Sequence, residues 1–178
     1  MKIITVLISF VFLILLTACE KAADITSPNL YNKQGISFSY PGNWDLTEED
    51  LAENVTFVSV ESSGSAIFML QVYKEEGAST LEEFATWYST ETKVDVPIGK
   101  ITSEPLINIK KNIKSLETKG IQESFAITLL GLKVPHKREY YLIKHSGRVV
   151  YLISQLAVED QKKNDPGFDL IYHSFSIE

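Results

Sequence analysis

The run "HKREY" at residues 136–140 sets an imidazole, a guanidinium and a phenol at alternate positions: His136, Arg138 and Tyr140. Alternation of this kind puts all three on one face of a β-strand. Together they have the chemistry of a small polar site, for binding or for an unfamiliar enzyme. The same residues also suit a solvated sheet face, and both readings stand at this level. Other reactive residue types are scattered. His145 and His173 lie far from His136 and show no metal-ligand spacing. "SSGSA" at 62–66 has serine beside glycine but lacks the Gly-x-Ser-x-Gly frame of a nucleophile elbow, so a hairpin loop accounts for it. The acid pairs Glu48-Glu49, Glu75-Glu76 and Glu82-Glu83 read as solvated charges. Lys110, Lys111 and Lys114 gather in an otherwise acidic chain, either as an exposed loop or as a contact for anionic lipid or a partner.

Composition narrows the classes. The chain has 178 residues, 44% hydrophobic and 22% charged, which fits one folded domain. Its net charge is −6, and −7 without residues 1–18, which carry one lysine and no acid. Such a balance argues against nucleic acid as a partner, because phosphate affinity rests on Lys and Arg displacing counterions. One cysteine permits neither an internal disulfide nor a Cys-rich zinc site, and no metal or cofactor is expected.

That cysteine follows "MKIITVLISFVFLILLTA", a single lysine, an apolar run from Ile3 to Leu16 and a small pair, the layout of a secretory signal peptide over 1–18. A transmembrane helix needs about 20 apolar residues, more than this run has. Leu16-Thr17-Ala18-Cys19 resembles the lipobox of bacterial lipoproteins: an aliphatic residue, two small ones, then the cysteine. The resemblance implies a diacylglyceryl group on the sulfur of Cys19, cleavage before it, and a further acyl chain such as palmitate on the new amino terminus. Each buried methylene contributes about 0.8 kcal/mol, so two or three chains hold a protein on a bilayer where one does not. It also implies a cell-envelope location on the periplasmic side. With Glu20 rather than Asp after the cysteine, the outer membrane is the expected destination in a diderm source.

Residues 19–34 are polar and without period and read as a lipidated tether, with the folded domain spanning 35–178. "ISFSY" alternates as a half-buried strand and Pro41-Gly42-Asn43 turns it. "NVTFVSVES" and "SAIFMLQVYK" form a hairpin whose second arm is apolar on both faces, which requires a layer above and below. "STLEEFATWYSTETK" predicts a helix with Leu81, Phe84, Trp87 and Tyr88 on one side and a Thr80/Glu83 capping box. Residues 94–113, broken by Pro97, Gly99 and Pro105, read as a loop, with a strand from Lys114 onward. A long hairpin turns at Ser146-Gly147, and Asp165-Pro166 opens a second helix with Phe168, Ile171, Tyr172 and Phe175 on its apolar face. The fold class is therefore α+β, an antiparallel sheet flanked by helices on both faces.

This order, with "GISFSYPGNW" at the front and "YLISQLAVEDQKKNDPGFDLIYHSFSI" at the end, resembles the PsbP/Mog1-like superfamily over Gly35 to Ile177. The resemblance implies an α/β/α sandwich and binding or assembly work without a common active site. A non-enzymatic, lipid-anchored envelope protein that binds another protein or a small ligand is the function expected. The alternatives are an envelope enzyme built around His136, Arg138 and Tyr140, and a structural spacer.

Overall fold

The computed structural model describes residues 21–51, 55–94, 99–114 and 116–178. The signal segment, Leu16-Thr17-Ala18 and Cys19 lie outside the described residues.

Among the described residues, eleven strands and two longer helices follow in chain order: β1 Asn29–Lys33, β2 Ile36–Tyr40, β3 Asp45–Leu51, β4 Val55–Glu61, β5 Ile67–Lys74, α1 Leu81–Val94, β6 Lys100–Ser103, β7 Ile107–Ile113, β8 Leu116–Leu129, β9 Leu132–His145, β10 Arg148–Ala157, α2 Gln161–Ser174 and β11 Ser176–Ile177. The main sheet runs β3-β4-β5-β10-β9-β8-β6, with β7 also on β8, and every pairing is antiparallel. A small sheet, β1-β2-β11, stands beside it.

Side chains alternate along a strand, so β10 supplies two cores at once. Val150, Leu152 and Leu156 join a cluster with Phe38, Trp44, Phe68 and the α2 residues Phe168, Ile171, Tyr172 and Phe175. Val149, Tyr151 and Ile153 join another with Phe84 and Ala85 of α1. The Phe84 and Tyr151 rings stack at 3.8 Å. Trp87, expected on the buried side of α1, is 51% exposed instead. The capping box forms as expected: the Thr80 backbone N–H donates to Glu83 Oε2 at 2.9 Å and the Glu83 N–H to Thr80 Oγ1 at 3.2 Å. Thr80→Ala removes the acceptor for that first-turn N–H, and chemical denaturation should show a loss of about 1 kcal/mol.

Three expectations about the chain path need correction. The tether was expected to reach residue 34, but Asn29–Lys33 pairs with β2, and the backbone N–H of Ala23 donates to the Lys163 carbonyl at 2.9 Å. The free edge of β2 and the first turns of α2 recruit this polar segment into the fold. The expected loop at 94–113 contains β6 and β7, which lie end to end along the same edge of β8 and break only at Glu104-Pro105-Leu106. A 14-residue strand offers enough ladder for both.

The second helix starts at Gln161, so Pro166 lies inside it rather than at its first position. A short turn at Val158–Asp160 carries the chain off β10 and starts the helix early. The following Gly167 allows close packing, since a Cβ there would lie 2.8 Å from Pro41 Cγ and 2.9 Å from Trp44 Cζ2.

Candidate functional site

Strands β8 and β9 pair over their whole length, with Ile121 opposite Tyr140, Glu123 opposite Arg138 and Phe125 opposite His136. This register brings a carboxylate beside the guanidinium. Helix α1 then covers the pair from above. Arg138 is 4% exposed and Glu123 1%. The expected trio is thus neither a solvated face nor an open pocket, because two of its members lie under a helix.

Every oxygen of Glu123 is occupied. Ser89 Oγ of α1 donates to Oε1 at 2.6 Å and Ser103 Oγ of β6 at 2.8 Å. Arg138 Nη1 reaches Oε2 at 3.0 Å and the Tyr140 hydroxyl donates to it at 2.7 Å. Four donors match the four lone-pair positions of a carboxylate. Arg138 Nε donates to Gln155 Oε1 at 2.7 Å, and the guanidinium sits over the Phe125 ring at 4.7 Å and the Tyr88 ring at 5.0 Å. Burial by itself would raise the Glu123 carboxyl. The hydroxyls of Ser89 and Tyr140, the Arg138 charge and Ser103 outweigh it, so the group is held below its ordinary value and ionised. Burial pushes the Tyr140 phenol well above the ordinary range, which keeps its proton in place to donate to Glu123. The arrangement leaves no lone pair of the carboxylate for a substrate. Its effect is to clamp α1, β6, β8, β9 and β10 together.

His136 separates from its two partners. Its ring stacks on Phe125 at 5.1 Å, and Nδ1 lies 2.9 Å from the Val134 carbonyl. It also borders a shallow recess of about 430 Å³, lined too by Thr102, Glu104, Gln122, Lys133 and Lys137. Arg138 and Tyr140 do not line it, so the expected three-residue site divides into a sealed pair and one rim histidine.

The remaining candidates take structural places. Ser62 Oγ accepts the N–H groups of Gly64 and Ala66, while Ser65 Oγ donates to Asp160 at 2.7 Å. Lys110 pairs with Glu117 and Lys111 with Asp169, and Lys111 also caps the Tyr172 ring at 4.9 Å. The lysine cluster is therefore largely paired within the chain. Among the described residues no group of three His, Cys, Asp or Glu side chains has the geometry for a metal. No described helix is long and apolar enough to cross a membrane.

Sequence reasoning missed Glu123, Ser89, Ser103 and Gln155. A signal for Glu123 existed: it stands in phase with Ile121 and Phe125, on the apolar alternation of its strand.

No known protein family and no curated protein matches the chain in sequence. Solved structures do match in shape. The cyanobacterial PsbP of Synechocystis sp. PCC 6803 aligns over 92% of this chain and 99% of its own, at 12% identity and a TM-score of 0.54. The fold is PsbP-like. LpqN of Mycobacterium tuberculosis, described as involved in cell envelope biogenesis, aligns over 85% of this chain and 89% of its own at 11% identity and a TM-score of 0.47. The Ran-binding protein Mog1p of Saccharomyces cerevisiae covers 85% and 95% at 8% identity and a TM-score of 0.46. At such identities the PsbP likeness establishes architecture alone.

Proposed function

We propose that this chain is a lipid-anchored envelope protein whose PsbP-like domain, an α/β/α sandwich with one helix to each sheet face, works by binding rather than by catalysis. The carrying observation is the closed Glu123 network, in which the polar constellation with the most chemistry is spent on holding a helix to a sheet. The anchor rests on Leu16-Thr17-Ala18-Cys19 behind an apolar run. Diacylation at Cys19, export to the periplasmic side and, in a diderm source, sorting to the outer membrane follow from that motif. The recess beside His136, Lys133 and Lys137 is the surface offered to a protein or small-ligand partner.

Cys19→Ser tests the anchor. Metabolic labelling with radioactive palmitate should mark the parent and not the variant, which should accumulate as the larger precursor. Normal processing of the variant would refute the anchor. Cross-linking of the parent in native envelopes, read by mass spectrometry, should return a reproducible neighbour bound through the His136 recess. Cross-links confined to lipid-proximal bystanders would refute the binding role.

A further inference from the structure

The β8–β9 hairpin ends in Thr128-Leu129-Leu130-Gly131-Leu132-Lys133, and its three leucines are 45%, 92% and 73% exposed. The turn is a two-residue one with both φ angles positive, 49° at Leu130 and 83° at Gly131. Such a position favours Asn, Asp or Gly, yet a bulky aliphatic residue occupies it and points into water. Neither backbone geometry nor the core explains this leucine.

The surroundings point to a lipid surface. Lys100, Thr128 and Lys133 form one row across β6, β8 and β9 directly behind the leucines. Residues 99–103 and 127–135 contain no acid, in a chain with 23. An apolar tip backed by lysines matches hydrocarbon below an anionic headgroup layer. Position supports the match. Pairing with β10 stops at His136 opposite Ala157, so Leu132 stands four residues farther out, about 13 Å at strand rise. The amino-terminal segment reaches the same end of the sheet, where Ala23 meets Lys163 in the first turn of α2. Cys19 precedes Ala23 by four residues, which span at most about 14 Å. Tip and anchor thus have the same reach from one end of the domain.

We infer that the Leu129-Leu130-Gly131-Leu132 tip inserts into the bilayer that carries the lipid on Cys19, giving the domain a second, orienting contact. The orientation rests on the lipid-anchor reading given above.

Full-length Cys19→Ser protein carrying Leu130→Cys, labelled with a nitrobenzoxadiazole dye, tests this on vesicles of phosphatidylethanolamine and phosphatidylglycerol. Only chain that floats with the vesicles, without any acyl group on residue 19, is measured, so the result is independent of acyl labelling at Cys19. Emission at residue 130 should shift to the blue and be quenched by nitroxide-bearing lipids, while the same dye at His145→Cys, at the opposite end of β9, stays water-like. Water-like emission at both positions would overturn the proposal. So would a blue shift at residue 130 that appears only when envelope protein is added, since that would assign the tip to a protein partner.

Discussion

Arg138→Met should destabilise the domain by about 3–5 kcal/mol, because it leaves the Glu123 carboxylate buried without its counterion. The cost is the stranded charge more than the lost pair. Arg138 also loses its seat between the Phe125 and Tyr88 rings and its bond to Gln155. Replacing both partners by apolar residues, Glu123→Leu with Arg138→Met, should recover most of that loss. Urea denaturation of the parent, the single and the double variant measures the difference, with an unchanged slope confirming a common two-state transition. A single variant as stable as the parent would show that Glu123 is not sealed.

Acid supplies an independent signature of the same pair. Glu123 is held below its ordinary value near 4.5 in the folded state. A carboxyl lowered in this way contributes fully above its unfolded value, and the contribution disappears as pH falls through the folded value. The parent should therefore lose stability below about pH 4.5 more steeply than the double variant, which has no group at this position to titrate.

Gly120→Ala should cost about 2–3 kcal/mol, an overpacking effect. Gly120 lies opposite Tyr141 on β9, and an added methyl carbon would sit 2.4 and 2.6 Å from two ring carbons. That ring is fully buried, with its edge against Tyr172 at 5.3 Å and its hydroxyl donating to Glu139 at 2.8 Å, so it has nowhere to turn. In a Tyr141→Leu background those ring carbons are gone and the same substitution should cost distinctly less. Thermal unfolding of the four proteins gives the coupling directly. Equal costs in both backgrounds would mean that the glycine is needed for some other reason.

What the chain states locally, it states well. The Ser146-Gly147 turn, the Thr80/Glu83 box and the β-branched and aromatic strand "RVVYLISQLA" that follows the turn each depend on neighbours within a few residues, and each appears where the local signals place it. The spacing of Phe168, Ile171, Tyr172 and Phe175 likewise marks one side of a helix, and that side is the buried one. Lipidation at Cys19 is also a local statement, and it remains a proposal outside the described residues.

Other features depend on a partner far along the chain. Segments 29–33 and 100–113 are too polar or too broken to announce themselves as strands, and become so because β2 and the long β8 present free edges. Pro166 signals a helix start, yet the turn after β10 begins that helix earlier. Glu123 and Arg138 are fifteen residues apart, and only the β8–β9 register and the cover of α1 turn two surface-type charges into a buried pair. The sequence by itself determined the alternating strands, the caps and the tight turns, because those follow from backbone sterics and short-range hydrogen bonds. Tertiary structure alone decided which edges pair and which polar groups are sealed from water, because desolvation depends on what packs above a residue and not on what stands beside it in the chain.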